Sequence, residues 1–200
     1  MLYISPGNRR MNIPTFSLPS EDTCPGATDL CKKNCYAKKA ERIWKYVLPS
    51  RKRNLNGTKN TSFIGNVIKY IDKHKPEYFR IHESGDFYNQ KYLCCWFVIA
   101  NLCPDTKFLA YTQNYKLDYS LKPDNFILYW TVWPDSLGVP ETGLRATVID
   151  DGSGKIDDSS LQSERLDKAF KCKKGKGNNI TCEKCKYCLE GKGDVTFKIH

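Results

Sequence analysis

Tyr78–Thr112 reads YFRIHESGDFYNQKYLCCWFVIANLCPDTKFLAYT. Tyr78–His82 reads as a strand, short and aromatic, running into Glu83-Ser84-Gly85-Asp86. Gln90–Leu102 is an apolar helix closed by Pro104, and Lys107–Thr112 is a second strand. Strand, helix, strand over this length is a parallel unit with a right-handed crossover. Phe126–Val132 and Leu144–Asp150 extend the strand series, while Asn12–Pro19 is a first strand weakened by its prolines. Strands this apolar belong to a sheet covered on both faces. Four or five strands cannot complete an eight-stranded barrel. The expected architecture is therefore α/β: a partial (β/α) barrel or open curved sheet, with functional groups at the C-terminal strand ends.

Helices are expected from Leu30 to about Val47, with Pro49 as the stop, over Ser62–His74, where Phe63, Val67, Ile68 and Ile71 recur at helical spacing, and over Leu161–Phe170. Asp151–Ser160 reads as a linker, and the tail from Lys171 is rich in Gly, Lys and Cys. The expected organisation is residues 1–150 as the barrel with an N-terminal three-cysteine loop, and 151–200 as linker, short helix and Cys-rich module.

No apolar run approaches the ~20 residues that span a bilayer, and the N-terminus has no secretory pattern. A reducing cytoplasm follows as the expected location. There, clustered cysteines bind metal or do chemistry rather than form disulfides. The chain has ten. Cys24, Cys31 and Cys35 form one group, with Cys31 and Cys35 sharing a helix face and Cys24 returning through the Pro25-Gly26 turn. Three soft thiolates suit an iron–sulfur cubane with one iron left open, whereas structural zinc needs a fourth ligand. Buried structural cysteines are the remaining alternative. Cys172, Cys182, Cys185 and Cys188 form a second group, containing a C-x2-C-x2-C run. That spacing suits a second cluster, with zinc as the alternative. Cys94, Cys95 and Cys103 read as core packing.

The formal charge is +10, which favours anionic partners such as nucleic acid. Between Lys32 and Arg53 nine bases face one acid, Glu41. Lys38, Lys39, Lys45, Arg51, Lys52 and Arg53 are the candidate phosphate contacts, against the plainer reading of a solvated face.

The order of strand, three-cysteine loop, helix, then a strand ending in a Gly/acid motif resembles the radical S-adenosylmethionine (SAM) superfamily. Cys24-Pro25-Gly26, Cys31 and Cys35-Tyr36-Ala37, with Arg80–Phe87 (RIHESGDF), the strand Phe108–Thr112 and the terminal cysteine run, are similar to the phage gene product eighty-eight family. The resemblance implies a [4Fe-4S] cluster at the barrel mouth, with SAM bound through its amino and carboxylate groups and cleaved reductively to a deoxyadenosyl radical. It assigns Glu83, Ser84, Gly85 and Asp86 to SAM, with Glu83 or Asp86 holding the ammonium, and Tyr111, Gln113, Thr131 and Trp133 to the pocket lining. Those aromatics, and His82, have an ordinary core role as the alternative. The spacing here is C-x6-C-x3-C, where the superfamily has C-x3-C-x2-C, so the likeness implies a cluster more directly than SAM chemistry. The competing readings are a non-catalytic iron–sulfur protein that binds nucleic acid or a host partner, and a zinc-stapled DNA-binding module.

Overall fold

The computed structural model describes residues 2–8, 11–149, 163–172 and 180–198. Eight strands among them make one sheet: β1 (Ile4–Ser5), β2 (Thr15–Phe16), β3 (Tyr78–Ile81), β4 (Lys107–Thr112), β5 (Phe126–Val132), β6 (Leu144–Ile149), β7 (Phe170–Lys171) and β8 (Val195–Lys198). Their order is β1-β2-β3-β4-β5-β6-β8-β7. β1 runs antiparallel to β2, and every other pairing is parallel. From β2 to β6 the order in space follows the order in sequence. Right-handed crossovers in such a sheet all fall on one face.

That face carries α4 (Phe63–His74) and α5 (Gln90–Leu102). Asn89 caps α5, its side chain accepting from Tyr92 N at 2.9 Å, and Pro104 follows its last turn. Trp96 of α5 is fully buried and meets Phe16 and Phe63 edge-on at 5.5 and 5.6 Å. Truncating an aromatic at such a position typically costs about 3–5 kcal/mol. Strand alternation divides the side chains cleanly. Phe79, Ile81, Phe108, Ala110, Phe126 and Leu128 join the helical core. Tyr78, Leu109, Tyr129, Ala146 and Val195 face the other way, where Met11, Ile13 and Leu189 cover them.

The helix expected over Leu30–Val47 is three elements: α1 (Asp29–Lys33), α2 (Tyr36–Ile43) and the start of α3 (Val47–Thr58). Cys35 and Trp44 adopt extended backbone and break the run. Pro49 opens α3 instead of stopping a helix. It stands in the first turn, where its missing N–H has no intrahelical acceptor to lose. The first strand shortens to Thr15–Phe16, and the Tyr78–His82 strand ends at Ile81 because His82 turns into left-handed backbone at φ 65°. The short helix near 161–170 is α6 (Ser163–Asp167) within the described residues. The expected linker, 151–160, and Asp150 lie outside them.

The tail holds more than its Gly, Lys and Cys content announces. Beyond α7 (Cys182–Cys185), Val195–Lys198 pairs with β6 and so sits inside the sheet. Tyr129 Oη donates to Gly193 O at 3.0 Å, Tyr78 Oη donates to Glu190, and Lys107 Nζ lies 2.7 Å from Glu190. Among the described residues no helix is long and apolar enough to cross a membrane.

Candidate metal centre

In a parallel sheet the C-terminal strand ends share one edge, and the first cysteine group gathers there. After β2 the chain is tied down by Leu18 N donating to Ser84 O and by Thr23 Oγ1 donating to Pro19 O. Cys24 follows in a turn closed by Ala27 N donating to Cys24 O at 3.1 Å. Gly26 is pressed against the end of β4, where a Cβ would stand 2.1 Å from Gln113 O. Thr28 caps α1, its hydroxyl accepting from Cys31 N, and Asp135, just past β5, accepts from Leu30 N at 2.9 Å. Cys35 caps α2 through its sulfur, which accepts from Lys38 N at 3.4 Å. Gln113 Nε2 donates to Cys31 Sγ at 3.1 Å.

The three thiols feel one another. Burial pushes the Cys24 thiol up to about 12, with the charges of Asp86, Cys31 and Cys35 adding to the rise. Burial also raises Cys31; the Gln113 hydrogen bond opposes this, and Cys35, Asp86 and Asp135 reinforce it. Cys24 and Cys31 are therefore both held towards the neutral thiol, and Lys38 of α2 is paired with Glu21 at 2.6 Å. Soft sulfur donors in that condition suit a thiophilic metal. Among the described residues no group of three or more His, Cys, Asp or Glu is arranged as a preformed single-ion site.

Glu83–Asp86 lies against this loop. His82 is buried, its Nε2 hydrogen-bonded to Tyr92 Oη at 2.8 Å, and burial together with Arg80 lowers its pKa to about 3. Tyr36 Oη donates to Glu83 O, and Glu83 Oε1 accepts from Asn8 Nδ2 at 2.9 Å. Ser84 Oγ is buried without a hydrogen-bond partner, as is Asp135 Oδ1. Gly85 (φ 87°) is needed because a Cβ would stand 2.6 Å from both Leu18 Cβ and Thr23 Oγ1. Asp86 is buried and fully engaged: Oδ1 accepts from Phe87 N at 2.7 Å and Thr112 Oγ1 at 2.6 Å, and Oδ2 accepts from Gln113 N at 2.8 Å. Burial still raises its pKa to about 6 against those hydrogen bonds. Asp86 thus ties β3 to β4 beneath the thiols, and Glu83 is the more accessible acid of the pair.

The second cysteine group packs on the sheet face opposite α4 and α5. Cys172, Cys182 and Cys188 border the cluster of Leu109, Tyr129 and Leu189. Thr181 caps α7, accepting from Lys184 N at 3.3 Å. Phe170 and Tyr187 stack at 4.1 Å, holding β7 to the turn after α7. Burial pushes Cys188 up to about 11; a Tyr111 hydrogen bond opposes this, and the charges of Cys172, Cys182 and Cys185 add to it. All four cysteines of the group are thus within electrostatic reach.

Of the candidate pocket residues, Gln113 reaches the first group directly. Tyr111 belongs to the second group. Thr131 O accepts from Tyr115 Oη, and Trp133 N donates to Ser136 Oγ at 2.9 Å. Cys103 is buried, and Cys95 packs against the helical core, in line with a packing role. Lys38, Lys39, Lys45, Lys52 and Arg53 are exposed. Arg51 differs: it is buried, with Nη1 2.9 Å from Glu41 and 3.2 Å from Ala37 O. It joins α2 to α3 instead of facing solvent. Asp135 was not singled out by its residue type; its place three residues past the end of β5 is the signal that finds it.

No solved structure matches this chain. The Gene 88 protein of Mycobacterium phage L5 is 29% identical over 96% of this chain and 89% of its own length. The Gene 88 protein of Mycobacterium phage D29 is likewise 29% identical with the same coverage. A family model described as Gene product 88 matches residues 4–191. Spanning nearly the whole sheet and both cysteine groups, that match establishes that the chain belongs to the Gene product 88 family.

Proposed function

We propose that this chain is an iron–sulfur protein of the host cytoplasm, its sheet a radical SAM-like partial barrel, acting on nucleic acid or a nucleotide. The observation that carries the reading is the meeting of Cys24, Cys31 and Cys35 with Asp86 and Gln113 at the C-terminal edge of a singly wound parallel sheet. The three cysteines are the ligands of the cluster. A [4Fe-4S] cluster held there would supply a reducing electron and one open iron for the amino and carboxylate groups of SAM. Gln113 holds the Cys31 sulfur by hydrogen bond, and Asp86 fixes the strand ends that carry the site. Glu83 is the carboxylate for the SAM ammonium, with Ser84 Oγ the adjacent unengaged donor. Cys172, Cys182, Cys185 and Cys188 hold a second centre, a cluster or zinc.

A non-catalytic iron–sulfur protein is the second reading, favoured by the full engagement of Asp86 within the chain. Oxygen-free purification with iron and acid-labile sulfide counting tests the cluster. Iron with sulfide is expected, and stoichiometric zinc without sulfide would overturn the reading. Adding SAM to the reduced protein should alter its electron paramagnetic resonance spectrum. A spectrum indifferent to saturating SAM leaves the non-catalytic reading in place.

A further inference from the structure

We infer that the α2–α3 hairpin is a docking surface for single-stranded nucleic acid, with Trp44 and Tyr46 as base-stacking platforms. This deepens the nucleic-acid reading above and rests on it for the class of partner, not on the cluster. Four large apolar side chains are exposed on one short arc: Tyr36 at 51%, Ile43 at 59%, Trp44 at 64% and Tyr46 at 74%. Grouped exposed aromatics on a small protein mark a contact site rather than a solvated face. Here they are interleaved with cations. Lys39, Arg42, Lys45, Lys52 and Arg53 are all exposed and have no acidic partner among the described residues. Lys45 Nζ lies 4.8 Å from the Tyr46 ring centre, a cation beside a stacking face. The one acid of the arc, Glu41, is turned inward to Arg51 and to Ser20, whose N and Oγ lie 2.9 and 2.6 Å from it. Apart from the Lys38–Glu21 pair and Ile43, the surface is therefore left with positive charge and aromatic area.

That combination selects the partner. Phosphates satisfy the cations, and only unpaired bases offer faces to Trp44 and Tyr46. A duplex hides its base faces and would use the cations alone. A second copy of this chain would bring like charge against like charge. The surface also adjoins the first thiol group, since Cys35 caps α2 and Tyr36 bonds to Glu83 O. A strand stacked on the hairpin would run past the site at the sheet edge.

The test is anisotropy binding of a fluorescein-labelled oligothymidylate and of a duplex of equal length, with iron and sulfide counted in the same preparation. The single strand should bind tighter. If all five cations meet phosphates, a single-strand slope of about −0.7 per contact gives roughly a 100-fold loss of affinity between 50 and 200 mM salt. Lys52→Gln with Arg53→Gln should reduce that loss to about 20-fold. Trp44→Ala should weaken binding by about 5- to 150-fold without changing the salt slope, and Trp44→Phe should restore most of it. Sedimentation of each variant reports its folding and assembly. Absence of binding at 50 mM salt overturns the inference, as does equal binding of duplex and single strand with Trp44→Ala indifferent. A dimer dissolved by Trp44→Ala, with no oligonucleotide bound, overturns it too and identifies a self-association face. Failure with iron and sulfide present leaves the cluster reading intact, whereas binding by metal-free protein separates the two in the opposite sense.

Discussion

Replacing Gly26 by alanine should damage stability and metal retention together. The added Cβ would stand 2.1 Å from Gln113 O, 2.5 Å from Gln113 C and 2.9 Å from Asn114 N, all backbone. Ordinary contact begins at 3.4 Å, so the nearest pair must part by 1.3 Å. The strand end cannot retreat, because Gln113 N is held by Asp86 at 2.8 Å and the Thr112 hydroxyl by the same carboxylate at 2.6 Å. The loop must move instead, carrying Cys24 with it. Overpacking of this kind costs about 1–3 kcal/mol, which for a chain of this size lowers Tm by about 2–12 °C. Gly65, inside α4, is the matched control. A Cβ there meets nothing within 4 Å, and Gly65→Ala should gain up to about 1 kcal/mol from helix propensity. Circular dichroism melts of metal-free protein read the stability, and iron and sulfide counts on oxygen-free preparations read the site. A Gly26→Ala protein that melts and binds metal like the parent would refute the close packing of the cysteine loop on β4. So would equal damage from Gly65→Ala.

His82 supplies a pH dependence. Its folded pKa is near 3, from burial and the Arg80 charge, against about 6.5 in an unfolded chain. The unfolded state takes up a proton the folded state refuses, so this contribution is complete above about pH 6.5 and is lost as pH falls, by roughly 2.7 kcal/mol at pH 4.5. Denaturant titrations at the two pH values should show that difference shrink in His82→Asn, which tolerates the left-handed backbone; an unchanged difference would count against it. In the tail, Cys188→Ser should lower metal content and open 163–198 to protease while leaving the first centre loaded, and Cys94→Ser should do neither. Full metal content in Cys188→Ser would remove Cys188 from the ligand set.

The central run of the sheet was legible because its periodicity and its punctuation agree. Gln90–Leu102, Lys107–Thr112 and Phe126–Val132 match the expected spans to the residue, each bounded by Pro, Asn or a turn. Leu30–Val47 misled for a physical reason. Its Lys, Ala, Glu, Arg and Leu residues favour helix and it holds no Gly or Pro, so no breaker shows that Cys35 and Trp44 leave helical backbone; caps such as Cys35 are set by what their side chains reach. Val195–Lys198 is only four residues at the end of a polar tail, and it becomes a strand because β6 offers a free edge to pair with. Arg51 looked like Lys52 and Arg53, since charge is visible in a sequence and the inward face of a three-residue run is not. The cysteine groups were legible as groups. Gln113 was legible as a residue just past a strand end; what the sequence could not carry was Asp135, and that Tyr111, expected in the same pocket, sits with the second group instead.

One charged side chain neighbours both cysteine groups. Arg80, on β3, lies between them. Its Nε donates to His82 O at 3.1 Å, its guanidinium stands 5.1 Å from the Tyr111 ring, and it has no carboxylate ion pair among the described residues. Tyr36 and Glu83, beside the first group, and Cys182 of the second are all within its electrostatic reach. Tyr111, beneath the guanidinium, hydrogen-bonds Cys188. A partly buried cation without an ion pair is costly unless negative charge lies nearby, and Glu83 on one side and Cys182 on the other are the groups placed to supply it. Because a parallel sheet with strands in sequential order sets β3 and β4 side by side, Arg80 of β3 and Tyr111 of β4 meet between the two groups.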